Sequence, residues 1–347
     1  MVEELISEPL LRDIMRAATS PAASLSAFEA ASETLIHLIR FFDGEAEADA
    51  MAEATNNAGG VDMFALQRNV EARRAHAEAH AEEFGAKKAM MHEMLCESMP
   101  SLVGLLEPSE RLPEVTITTG TLRPCGLARV LVVRLLAYMC RSGSEPVYSA
   151  MMDCDALNVA FSTFVRYPWN NAFHNAFVEF AESVAKLGAD LGGPGNGANA
   201  DAAGLGEQGT RLRSQILSEA FRNRLLDAYE ALETQTGELG YRVGSMGHAL
   251  LVASVIREAV AIDGDGGVEA GGATATRWHS FVSETLDPQI LIQNRSVHRR
   301  RWGMGWSRGG GGCAGRWLRF GLRIWICVWI AHSLLWGRVA RWKRSAV

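Results

Sequence analysis

Apolar residues along this chain recur at steps of three and four far more often than at alternate positions. That period lines one face of an α-helix. It predicts helices over residues 3–17, 26–42, 61–84, 89–106, 126–140, 146–165, 171–187, 211–233 and 245–262. Ser26 stands where an N-cap is needed, with Glu29 three residues on in capping-box spacing. Only residues 115–119 (Val-Thr-Ile-Thr-Thr) alternate like a strand, and they read equally well as an extended linker. The chain is therefore expected to be all-α.

Predicted helices of about 12–20 residues, joined by polar or glycine-rich breaks, suggest helix pairs stacked side by side. No fixed repeat period is evident, so the expectation is an irregular solenoid. Residues 126–140 are apolar on almost every side except at Arg129 and Arg134, and such a helix has to be covered on several faces, as in the middle of a stack. Two stretches, 188–210 and 263–275, are dominated by Gly, Ala, Asn and Asp and read as mobile loop insertions.

Charge divides the chain. Its net charge of −6 combines −18 over residues 1–294 with twelve Lys and Arg, and no Asp or Glu, after Asn294. An acidic body argues against nucleic-acid binding. Seven of the nine tryptophans also fall after Asn294, so 1–294 reads as the helical domain and 295–347 as a disordered or aberrant tail outside it. Such Trp/Arg/Gly-rich text is what a read-through intron or a shifted frame produces. The tail's other reading is a membrane anchor, because 324–337 is a charge-free run of fourteen residues. As a helix it would reach about 21 Å at ~1.5 Å per residue, against a hydrocarbon core of about 30 Å, so an interfacial segment fits better than a span. Six scattered cysteines without a CxxC pair, behind an acidic N-terminus with no signal peptide, suggest reduced thiols in the cytosol.

Two segments concentrate unusual chemistry. Tyr167-Pro168-Trp169-Asn170-Asn171-Ala172-Phe173-His174-Asn175 sets aromatic anchors, a proline and several amides at a helix entrance. Pro168 holds Tyr167 extended, and Asn170 or Asn171 can cap the helix that follows. One reading makes this a helix-start corner with Trp169 plugging a groove. The other makes Asn171 and Asn175, opposite the Phe173/Phe177/Phe180 stripe, a partner-binding surface. Arg242-Val243-Gly244-Ser245-Met246-Gly247-His248 offers Ser245 as an N-cap, Gly247 as a place of close backbone approach, and His248 as a structural hydrogen-bonding histidine. His76 and His80 are spaced i, i+4 for a metal, which would suit a hydrolase, but the HExxH order is absent. The runs 192–195 and 309–312 lack a following Gly-Lys-Ser/Thr, so there is no phosphate loop. No metal or cofactor is expected.

These segments resemble those of the SAPS-domain family, regulatory subunits of protein phosphatase 6-type Ser/Thr phosphatases. The likeness rests on Pro124-Cys125-Gly126-Leu127-Ala128-Arg129-Val130, on Tyr167-Pro168-Trp169-Asn170-Asn171 with His174-Asn175, and on Arg242-Val243-Gly244-Ser245-Met246-Gly247-His248 followed by Trp278-His279-Ser280-Phe281-Val282. It departs from the family at Cys125, where leucine is usual, at Ala172-Phe173, and in its glycine-rich insertions. Members continue beyond residue 294, so the resemblance implies truncation within or just after the helical domain. It further implies an armadillo/HEAT-like scaffold, without catalysis of its own. The scaffold would bind a phosphatase catalytic subunit and direct it to substrates in the cytoplasm and the nucleus.

Overall fold

The computed structural model describes residues 7–20, 23–42, 81–107, 114–117, 120–188, 206–240, 243–262 and 273–292, together with 68 and 71. Eleven α-helices run through them: α1 Glu8–Thr19, α2 Leu25–Phe42, α3 Ala81–Gly104, α4 Leu127–Arg141, α5 Glu145–Asp153, α6 Ala156–Arg166, α7 Asn171–Ala185, α8 Glu207–Leu217, α9 Glu219–Leu239, α10 Met246–Ile262 and α11 Ala273–Phe281. A π-helical turn, Val282–Leu286, follows α11. Of the alternating stretch, β1 Val115–Ile117 pairs antiparallel with β2 Gly120–Leu122, in the register Val115↔Leu122. The chain divides into two units, 1–289 and 290–347, and of the second only 290–292 are described.

The helices stack in two rows. α2, α4, α7 and α10 pack in that order as one row, and α1, α3, α5 and α8 as the other. Successive elements alternate between rows, except that α6 and α9 are added as third helices beside α7 and α10. The architecture is an all-α solenoid of stacked helices.

Its centre is the helix whose pattern predicted it. α4 packs against α2 on one side and α7 on the other, and ten of its fifteen residues are buried, including Leu131 to Val133, Leu135 and Leu136. α7 buries Phe173, Phe177 and Phe180 on its predicted stripe. Phe161 and Phe164 of α6, Phe177 of α7 and Phe221 of α9 then close an aromatic cluster, with ring centroids 5.0–6.1 Å apart. Arg134 reaches Glu33 of α2 at 3.0 Å, and Arg141 reaches Glu179 of α7 at 2.9 Å, so the middle of α4 is tied to one neighbour and its C-terminal end to the other.

Several predicted boundaries move, each for a local reason. The cap of α2 is Ser24, whose Oγ accepts from Ala27 N at 3.2 Å, so Ser26 and Glu29 lie inside the helix and form no capping box. The predicted helix 146–165 is two helices, because Asp155 adopts the left-handed region at φ 51° and turns the chain between α5 and α6. The predicted helix 211–233 also breaks, at Ser218, which ends α8 in an extended conformation and caps α9 through Oγ, 3.1 Å from Phe221 N. α3 runs through Pro100.

The glycine-rich insertion ends earlier than its composition suggests. α8 begins at Glu207 because the carboxylate of Glu145, in the first turn of α5, accepts from Gln208 N at 2.8 Å and Gly209 N at 3.2 Å. Gly206 leaves room for that cap, since a Cβ there would lie 2.3 Å from Glu145 Cδ. α11 likewise starts at Ala273, inside the stretch expected to be a loop. The bulk of both insertions, residues 72–80 with His76 and His80, and the tail 295–347 all lie outside the described residues. Among the described residues no helix is long and apolar enough to cross a membrane.

If the aromatic cluster holds α6, α7 and α9 together, Phe177→Ala should cost about 3–5 kcal/mol. Urea unfolding followed by circular dichroism measures this, and a loss under about 1 kcal/mol would mean that the cluster is not the joint.

Candidate partner-binding site

Gly126 enters α4 at φ 80°, a conformation that side chains resist, and sets Arg129 in the first turn. A cation there opposes the helix dipole. Arg129 is nonetheless 4% exposed. Its guanidinium reaches the carbonyls left over beyond the end of α3, Nε donating to Leu106 O at 3.2 Å and Nη2 to Glu107 O at 2.5 Å. Nη1 donates to Cys125 O at 2.5 Å. Arg129 is thus a C-terminal cap for α3 supplied by the next helix. Thr163 of α6 also lies 3.2 Å from Leu106 O, and the Tyr167 ring sits 5.5 Å below the guanidinium. Burial pushes the Cys125 thiol up to about 12, even beside Arg129, so it stays neutral.

Tyr167 to Asn170 form a tight turn, closed by Asn170 N donating to Tyr167 O at 3.1 Å. Pro168 occupies the second position of that turn and Trp169 the third, which points outward. The groove plug expected of Trp169 is therefore Tyr167. Tyr167 is 4% exposed and Trp169 39%. Of the two candidate caps Asn170 is used, its Oδ1 accepting from Phe173 N at 2.9 Å.

The second segment docks onto this turn from α10. Gly244 lies against it so closely that a Cβ would come within 3.2 Å of Pro168 O and 3.3 Å of Asn171 Oδ1. The close approach expected at Gly247 is thus at Gly244, since nothing lies within 4 Å of a Cβ built at Gly247. Val243, Ser245 and Met246 are buried. The Ser245 hydroxyl makes no cap and meets no partner among the described residues, because it faces inward. Asn171 and Asn175 are half-buried, with their amides directed at α10. Arg242 lies outside the described residues.

His248 bonds as a structural histidine. Its Nε2 is 2.9 Å from Asn175 Oδ1 and its Nδ1 3.3 Å from Gly244 O. A neutral ring carries one N–H and can serve one of these oxygens, so turning the Asn175 amide to present its NH2 would satisfy both contacts. The His174 ring lies 5.1 Å from that of His248 and 4.6 Å from that of Phe164, fully buried. Neither nitrogen of His174 has an aligned partner among the described residues. Burial, with His248 adding to it, pushes its pKa down to about 3, and the nearby Phe164 and Tyr167 carbonyls oppose this weakly. Burial lowers the His248 pKa as well, against the Gly244 carbonyl. Both rings are neutral at neutral pH, and neither bonds a carboxylate among the described residues. This is a rigid junction in which three chain segments meet. Sequence reasoning missed the backbone carbonyls of Leu106 and Glu107, which carry no residue-type signal.

Two measurements follow from this geometry. Lysine cannot fork to three carbonyls, so Arg129→Lys should cost about 2–3 kcal/mol by urea unfolding, while Trp169→Ala should cost about 1 kcal/mol or less. Equal losses would contradict the inward Tyr167 and outward Trp169. Between pH 6.5 and 3 the unfolded chain binds a proton at position 174 that the folded chain refuses. Stability present above pH 6.5 should then fall with acidification by up to about 1.4 kcal/mol per unit. His174→Phe should flatten that slope between about pH 6.5 and 4.5, and an unchanged slope would refute the assignment.

Comparison with known proteins gives this site its context. The family described as SIT4 phosphatase-associated protein (SAPS) matches residues 1–295. The serine/threonine-protein phosphatase 6 regulatory subunit 3 of Gallus gallus is 30% identical over 153 residues, covering 44% of this chain and 17% of that protein. Subunit 3-A of Xenopus laevis is 25% identical over 221 residues, covering 58% of this chain and 25% of that protein. The chain thus spans a quarter or less of the length of these curated relatives. No solved structure matches. A match running through every helix from α1 to α11, and through all three segments that form the junction, means that the chain belongs to the SAPS family.

Proposed function

We propose that this chain is a non-catalytic regulatory subunit. It would bind a protein phosphatase 6-type Ser/Thr phosphatase catalytic subunit and direct it to substrates, in the cytoplasm and also in the nucleus. Its family membership and the names of its relatives support the reading. The observation that carries it is the convergence of the family-like segments. Arg129 stacks on Tyr167, and Asn175 meets His248, so stretches some 40–75 residues apart build one closely packed junction. The residues that compose it are a buried cation held by carbonyls, neutral imidazoles and amides, which suit shape presentation rather than proton transfer.

Tagged full-length chain expressed in cells should co-purify the phosphatase 6-type catalytic subunit, as read by mass spectrometry against an untagged control. A folded chain that retains no phosphatase catalytic subunit would reject the proposal.

A further inference from the structure

α6 is one of the two added helices, and one face of it is not covered by a neighbour. That face borders a surface cavity of about 520 Å³ that runs from Asp155 past Asn158 and Ser162 to Arg166. Glu107, just beyond α3, and Arg224 of α9 close the sides. The volume suits a few side chains of a bound segment.

Most other arginines described on the surface are neutralised, although Arg211 bonds only the Gln208 amide. Arg12, Arg16, Arg134, Arg141 and Arg277 each pair with a carboxylate. Arg224 instead bonds the neutral Asn158 Oδ1 and Ser162 Oγ and lies 5.2 Å over the Phe161 ring. It is therefore held in place with its charge not cancelled by a directly bonded acid. Arg166 is exposed and has no hydrogen-bond or ion-pair partner among the described residues. Two such cations bordering one groove stand out on a body whose net charge over residues 1–294 is −18. Val165, next to Arg166 in sequence, is 38% exposed, and Trp169, three residues on, is 39% exposed, so two apolar side chains are open to solvent close to Arg166 along the chain.

We propose that the groove along α6 docks an extended acidic segment of a partner protein. A carboxylate of that segment lies against Arg166 and Arg224, and a neighbouring apolar side chain rests on Val165 and Trp169. Charge complementarity identifies the occupant, since guanidinium forks match carboxylates in geometry and charge. The carboxylates of Asp155 and Glu107 in the walls favour a monoanion over a phosphate dianion. The inference goes beyond the phosphatase-subunit reading and does not depend on it, because the groove's chemistry is the same whichever protein brings the segment.

The test is a phage-displayed random dodecapeptide library panned on the immobilised full-length chain, with R166E panned in parallel. Because Arg166 bonds nothing described in the fold, R166E should melt like the parent. The expected result is enrichment of peptides with Asp or Glu next to Leu, Phe or another large apolar residue, recovered at least about tenfold less on R166E. Trp169→Ala should weaken the best synthetic peptide several-fold, and replacing its acids by Asn or Gln should abolish binding. No enrichment on the parent over R166E, or enrichment of peptides without an acid, would overturn the proposal. So would a phosphoserine version of the best peptide that binds tenfold tighter than the carboxylate. Loss of phosphatase co-purification with peptide binding intact would fail the functional reading alone.

Discussion

A buried guanidinium holding the carbonyls of another helix sets the terms for much of this fold. Arg129 reaches back from the start of α4 to Leu106 and Glu107 beyond the end of α3, so one side chain joins the two rows of the solenoid. Helix ends leave carbonyls that must be satisfied by something other than their own helix. Here that need is met by a cation that would otherwise be stranded at the positive end of its own helix. Neither group is stable alone in the interior, and the mutual solution fixes the angle at which α3 gives way to α4. The same carbonyl of Leu106 takes Thr163, and Tyr167 covers the guanidinium, so α6 and the turn after it are positioned from this point.

From there the order of the stack follows. The turn over Tyr167 to Asn170 directs α7 alongside α4, and α7 presents Asn171 and Asn175 to α10. Gly244 has no side chain because the turn occupies that space. The polar groups at this junction are spent on one another or buried neutral, which makes it stiff. The α6 groove is the reverse case, with cations that the fold leaves without acids in direct contact.

Much of this was legible in the residue pattern. Apolar steps of three and four identified α4 as a helix covered on several sides, and the Phe173/Phe177/Phe180 stripe as the buried face of α7. The structural bonding of His248 was legible too, though not that Asn175 and Gly244 would be its partners. The added helices α6 and α9 were not, because each depends on one residue. Asp155 in the left-handed region and Ser218 in an extended one break periods that otherwise run on. A hydrophobic period averages over a turn or more and does not register such a break. Trp169 was misplaced because residue size suggested a plug, whereas position in the turn decided that Tyr167 points in and Trp169 out.

What the linear chain carries unaided is therefore most of the helices, their buried faces and the all-α class, since each rests on contacts between residues three or four apart. Folding in three dimensions settled which helix ends meet. Glu145 caps α8 from 62 positions before its first residue, Arg129 caps α3, and Gly244 makes room for the Pro168 turn. These pairings join groups distant along the chain, and several use backbone carbonyls and amides that every residue possesses. No residue type announces them, and they exist only once packing has brought the ends together.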